Sequence, residues 1–256
     1  MAEFVTTVRS ETDRGAVYTV TIDNQKKLNT LNSDILAALK SSFEDLKTKE
    51  DLAVVILTGA GEKSFIGGAN IYEMATLNPD TARTFITNLH HVCSAIRDIP
   101  APVIARINGL CLGAGMEIAA ICDLVVAIDS AEFAMPEVRV GIPSVIEAAV
   151  LPQILGASLA RDLVMTARPM FAKEAHRAGL VHRLATPENL DEVTQTVVDD
   201  LLAGGRNALR LQKALCNAWE NLPTDKAIQL GIDHFSDAYT GPEPQEMMNA
   251  FINRKR

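Results

Sequence analysis

The chain is poor in several things, and each shortage excludes a class of function. Aromatic residues make up 5% of its 256 residues, with a single tryptophan, so a ring-rich stacking surface is not in prospect. Basic residues are in deficit, 24 against 32 acidic ones, and the net charge of −8 argues against a nucleic-acid surface, which needs a basic patch. A local basic pocket is still compatible with that charge, and the tail Arg254-Lys255-Arg256 is one candidate. Only four cysteines occur (Cys93, Cys111, Cys122, Cys216), within or beside apolar runs and without CxxC spacing. They read as buried free thiols of a reducing compartment, not as disulfides or a zinc site. The longest low-charge stretch, Ile99 to Ile128, is broken by Arg106, Glu117, Asp123 and several glycines, so no membrane span is expected. The N-terminal residues carry no apolar segment of the secretory kind, which makes a cytoplasmic protein the expectation. GxSxG and HExxH are absent, Thr58–Ser64 has the wrong glycine spacing for a phosphate loop, and no metal site is expected. The five histidines read as structural or exposed.

What is present is an ordinary globular balance, 48% hydrophobic and 22% charged, with enough length for a large core. Strands are expected at Val5–Arg9 and Ala16–Ile22, joined by a Ser10–Gly15 turn, and at Ala53–Thr58, Val103–Ile107 and Leu124–Ile128. Asn32 is a suitable N-cap for a helix with Ile35, Leu36, Leu39, Phe43 and Leu46 on one face. A second helix is expected from Pro79 to Arg97. After Pro143 glycines thin out and helices dominate, with Leu180–Leu184 the one strand expected there. The class is therefore α/β, with residues 1–200 as the core and 201–256 as a helical region packed on it or on a neighbouring subunit.

The chemistry concentrates between Gly109 and Pro143. Glu117 follows the turn Leu112-Gly113-Ala114-Gly115-Met116 and precedes an apolar run; Glu137 follows Met135-Pro136. An unpaired buried carboxylate costs several kcal/mol or keeps its proton. Two in one short region suggest use, one as base and the other as acid. A second glycine turn, Phe65-Ile66-Gly67-Gly68-Ala69-Asn70-Ile71, also precedes a helix. Two such turns side by side could aim two backbone N–H groups at one developing oxyanion. Glu147 could be a third pocket carboxylate, but reads rather as a solvent-facing helix residue.

These motifs, with Lys27-Leu28-Asn29-Thr30-Leu31, Pro102–Gly109, Cys122-Asp123, Pro136-Glu137 and Ala178–Val181, resemble the crotonase family, the enoyl-CoA hydratase/isomerase superfamily, over nearly the whole chain. The resemblance implies a spiral of ββα units with a helical C-terminal region, assembled as a homotrimer or homohexamer. It implies an acyl-CoA thioester substrate with no separate cofactor. It places the oxyanion hole on the amides of Ala69 and Ala114, and matches Glu117 and Glu137 to the two hydratase glutamates, one activating water for attack at C3 and the other protonating C2. Coenzyme A is expected against Lys27, Leu28, Gly67, Gly68, Ala69, Asn70 and Ile71, with Arg254 and Lys255 at the basic C-terminal end. Ala114 replaces a common glycine and Asn70 a common aspartate, neither of which removes an N–H. Tyr72 stands where some relatives have a phosphate-binding lysine. The loop after the second glutamate is one residue shorter, with Ser144 for glycine. The sister reading is a Δ3,Δ2-enoyl-CoA isomerase, and a reading of another class is an RNA-binding or non-catalytic protein of the same fold. Retention of both glutamates favours hydration, because an isomerase proton shuttle needs only one.

Overall fold

The computed structural model describes residues 4–253. The chain opens with an antiparallel hairpin, β1 (Val5–Thr12) and β2 (Gly15–Ile22), closed by two residues rather than a wider Ser10–Gly15 turn. Gly15 permits this with φ +116°, and Thr12 Oγ1 donates to its carbonyl at 2.6 Å. Helix α1 (Ser33–Lys47) follows, with the Asn32 side chain accepting from the Ile35 N–H and the five expected apolar residues all buried.

Three strand pairs follow, each giving one strand to each of two sheets. They are β3 (Leu52–Gly59) with β4 (Ser64–Ile66), β5 (Val103–Ile107) with β6 (Leu110–Leu112), and β7 (Leu124–Ile128) with β8 (Glu132–Ala134). Between the first two lie α2 (Ile71–Met74) and α3 (Pro79–Arg97); after β6 comes α4 (Ala114–Ala120). β3, β5 and β7 are parallel neighbours in a six-stranded sheet of order β1-β2-β3-β5-β7-β10, where β10 is Arg183–Ala185. β4, β6 and β8 are parallel neighbours in a four-stranded sheet, whose fourth strand is β9 (Met170–Phe171). The expected spiral of repeated β-β units is thus present.

The long strands and helices match the apolar pattern; the short ones do not announce themselves. β4, β6, β8 and β9 are two or three residues long, too short for any alternation to register. The strand expected at Leu180–Leu184 lies at Arg183–Ala185. The first of the helices expected after Pro143 begins as a 3₁₀ segment, Ile146–Val150, running into α5 (Leu151–Leu155). The remaining helices are α6 (Ala157–Thr166), α7 (Ala172–Arg177), α8 (Leu190–Leu202), α9 (Arg206–Trp219), α10 (Thr224–Ala238) and α11 (Glu243–Ile252). None among the described residues is long and apolar enough to cross a membrane. Cys93, Cys111 and Cys122 are buried free thiols as expected; Cys216 is exposed, because it falls on the outward side of α9.

Candidate active site

Register in the small sheet builds the site. Ile66 pairs with Cys111 and Leu112 with Ala134, so the C-terminal ends of β4, β6 and β8 lie side by side. The next residues of the three strands, Gly67-Gly68-Ala69, Gly113-Ala114 and Met135-Pro136-Glu137, therefore emerge together. Gly115 allows the first two to close up, since a Cβ there would meet the Ile66 carbonyl and, at 2.9 Å, the Ile66 side chain.

Each turn reverses through a glycine of positive φ, Gly68 at +100° and Gly113 at +51°, immediately before the expected oxyanion residue. A side chain would be strained in either backbone. Gly113 has a second reason: a Cβ on it would run into Glu137 Oε1. Ala114 is the first residue of α4, where an N–H has no acceptor within the helix. The Ala69 N–H lies beside the bridge formed by Leu31 N–H to Gly68 O (2.9 Å) and Asn70 N–H to Leu31 O (2.7 Å), and takes no part in it. Among the described residues neither amide has a protein acceptor.

Ala69, Ala114, Glu117 and Glu137 all line one cavity of ≈ 890 Å³. Its wall is otherwise mostly apolar, from Met74, Leu77, Phe85, Ile86 and Leu89 on one side and Val140, Ile142 and Val145 on the other, with Arg83 and Arg139 the basic groups. The apolar contribution of α3 is visible in its sequence, but not its direction toward the site.

The two glutamates differ in surroundings. Glu117 is buried, 4% exposed, and its Oε1 accepts the Ala148 N–H at 3.0 Å. Burial pushes its carboxyl up to about 8, helped by the nearby charges of Glu137 and Glu147 and opposed by the Ala148 N–H. Burial thus favours the protonated form of Glu117 at neutral pH. Glu137 is only half-buried, less enclosed than the expectation of two buried carboxylates: it opens the 3₁₀ turn Glu137–Val140 on the cavity wall. Its Oε2 accepts the Ser144 hydroxyl at 2.7 Å, and its carbonyl accepts the Ile142 N–H at 3.2 Å. The loop after Glu137 therefore holds the second glutamate directly, through Ser144.

The expected coenzyme A residues divide. Gly67, Gly68, Ala69 and Ile71 line the cavity. Leu28, in a left-handed conformation, accepts the Gly67 N–H on its carbonyl at 2.9 Å and so holds the turn from behind. Lys27 is exposed and, like Leu28, is not part of the cavity wall. Asn70 is buried and caps α2 through Oδ1, accepting from Tyr72 N at 3.0 Å and Glu73 N at 3.3 Å, so its side chain serves the helix. The same capping by an aspartate explains why either residue fits there. Arg254 and Lys255 lie outside the described residues.

One expectation fails. Glu147 does not face solvent: it is 7% exposed, the buried residue of Ile146–Val150, and its Oε1 accepts from His90 Nδ1 at 2.6 Å. A glutamate among Ile, Ala and Val in a short turn carries no helical period to signal its direction. His90, exposed in its outer half, is thereby tied to the site.

The chain is similar to known proteins over nearly its whole length. A family model described as enoyl-CoA hydratase/isomerase matches residues 12–256. The chain is 34% identical over 243 residues to the short-chain-enoyl-CoA hydratase of Clostridium acetobutylicum, covering 94% of this chain and 93% of that protein. It is 34% identical over 236 residues to the crotonyl-CoA hydratase of Syntrophomonas wolfei, at 92% and 91% coverage. Among solved structures, an enoyl-CoA hydratase of Mycobacterium smegmatis superposes with TM-score 0.92 at 29% identity, covering 98% of this chain and 97% of that one.

Proposed function

The chain belongs to the enoyl-CoA hydratase/isomerase family, and from that premise we propose how its site works. Its activity is enoyl-CoA hydration, the addition of water across C2=C3 of a 2-enoyl-CoA thioester. Glu117 and Glu137 are the acid–base pair, and the Ala69 and Ala114 amides are the oxyanion hole. The observation that carries this reading is the convergence of two unpartnered amides and two unlike carboxyls on one apolar cavity.

The thioester oxygen accepts from the two amides, which stabilise the negative charge that gathers there as water adds. Water attacks C3 and passes a proton to the carboxylate of the pair, while the carboxylic acid of the pair delivers a proton to C2. The pair holds one proton before and after the step, carried by the other member at its end. At rest burial keeps that proton on Glu117, while Glu137 Oε2 accepts the Ser144 hydroxyl. Holding the water between the two groups replaces a bimolecular encounter by a positioned one. Coenzyme A is part of the substrate, and no further cofactor enters the reaction.

Supporting a short acyl group is the likeness to hydratases named for short-chain and crotonyl substrates. Exposed apolar side chains on the last two helices, among them Ile228, Ile232, Phe235 and Phe251, support a homotrimer or homohexamer that covers them. The thiols and composition support the cytoplasm as its place. The test of the reading is hydration of crotonyl-CoA by the purified protein, followed by loss of the conjugated thioester absorbance. Rapid hydration with formation of 3-hydroxybutyryl-CoA is expected; turnover of a 3-enoyl-CoA alone would make it an isomerase.

A further inference from the structure

Behind Glu117 lies a second charged group that the hydration scheme does not use. In the segment Ile146–Val150 the buried residue is the glutamate, while its apolar neighbours are less enclosed. Its Oε1 is occupied by His90 Nδ1 at 2.6 Å; its Oε2 is buried with no hydrogen-bond partner. A buried unpaired carboxylate oxygen costs free energy that the segment could avoid by turning outward. It faces inward nonetheless, tied by His90, on a strained turn. Ile146 has φ +40°, a left-handed conformation that is a genuine outlier for a β-branched residue and costs about 1–3 kcal/mol. The residue after Glu147 is Ala148, whose N–H holds Glu117 Oε1 at 3.0 Å. One strained turn thus supplies both a donor to Glu117 and a carboxylate close behind it.

The titratable groups facing Glu147 are few. From α4 there is Glu117; from α3 there are His90 and the buried Cys93 thiol, pushed upward by burial and then by the charge of Glu147 and a weak thiol hydrogen bond to it; α5 (Leu151–Leu155) carries no charged residue. We propose that Glu147, held by His90, is a positioning residue for hydration, whose carboxylate behind Glu117 biases Glu117 toward the protonated form. This rests on Glu117 being the acid–base carboxyl, but its test reads protonation rather than turnover, so the two ideas fail separately. A merely structural His90–Glu147 tie between α3 and the turn would leave the Glu117 proton where it is.

The test is infrared difference spectroscopy of the full-length protein across pH, using the carbonyl stretch of protonated Glu117, assigned by its loss in Glu117→Gln. In Glu147→Gln, which keeps an acceptor for His90, the midpoint of that band should fall by about one pH unit, the usual effect of removing a close like charge. His90→Lys places a permanent cation on Glu147 and should lower the midpoint in the same direction; His90→Gln, neutral and hydrogen-bonding, should not lower it. The alkaline limb of kcat/KM should move with the band. A wild-type midpoint in folded Glu147→Gln overturns the proposal. Should Glu147→Gln not fold, a wild-type midpoint in His90→Lys overturns it equally.

Discussion

Glu117→Gln should make the protein more stable while removing its activity, by an amount that depends on pH in a defined way. The carboxyl of Glu117 moves from an ordinary 4.5 to about 8 on folding, chiefly through burial. The folded state therefore binds this proton more tightly than the unfolded chain. The contribution is fully favourable below pH 4.5 and is lost progressively as pH rises through about 8. At about 1.4 kcal/mol per pH unit, the loss is about 3 kcal/mol at pH 7 and about 5 kcal/mol above pH 8. Glutamine cannot ionise, fills the same volume, and its amide oxygen can still accept the Ala148 N–H that Glu117 accepts at 3.0 Å. The variant should match wild type near pH 4.5 and exceed it increasingly toward pH 9. Urea unfolding at fixed protein concentration, repeated from pH 5 to 9, measures this directly. A stability difference that stays flat across that range would refute the reasoning, because it would mean that Glu117 carries no displaced titration.

Gly113→Ala should destabilise the fold by about 1–2 kcal/mol through the positive φ of Gly113 and abolish activity by displacing Glu137, checked by thermal melting beside the hydration assay. Ala114→Pro deletes one oxyanion donor at the first position of α4, where proline suits a helix. kcat should fall about a hundredfold to a thousandfold with the melting temperature nearly kept. Ser144→Ala removes the hydroxyl that holds Glu137 Oε2; a loss of about 1 kcal/mol, or roughly fivefold in kcat/KM, is expected in steady-state kinetics. Because the Glu117 proton is released as pH rises through about 8, kcat/KM should decline on that alkaline side, and a profile flat to pH 10 would contradict a catalytic role for the protonated form.

Much of the architecture is legible in the residues because long elements leave long patterns. α1 shows its five-residue apolar face and its Asn32 cap, and α3 runs from Pro79 to Arg97 as its spacing predicts. The small sheet does not show itself, although it places every group of the site, because strands such as Leu110–Leu112 hold no period. Glycine turns and misplaced charge point to the two turns and to Glu117 and Glu137, whereas Ala69 and Ala114 as the donors come from the family resemblance. The unequal burial of the two glutamates depends on packing against Ala148 and on the Ser144 loop, which no local pattern encodes. Glu147 is misread for the same reason: its direction is set by the left-handed Ile146 and by His90, 57 positions away in the chain.

The central claim is that Glu117 and Glu137 act as one unit on water over a shared oxyanion hole. It is tested most directly by the crotonyl-CoA hydration rates of wild type, Glu117→Gln, Glu137→Gln and the double variant, each verified as folded. Each single change should cost about a hundredfold to ten-thousandfold in kcat, and the double variant should be little worse than the poorer single one. A single variant that hydrates at the wild-type rate, or two losses that simply multiply, would contradict it.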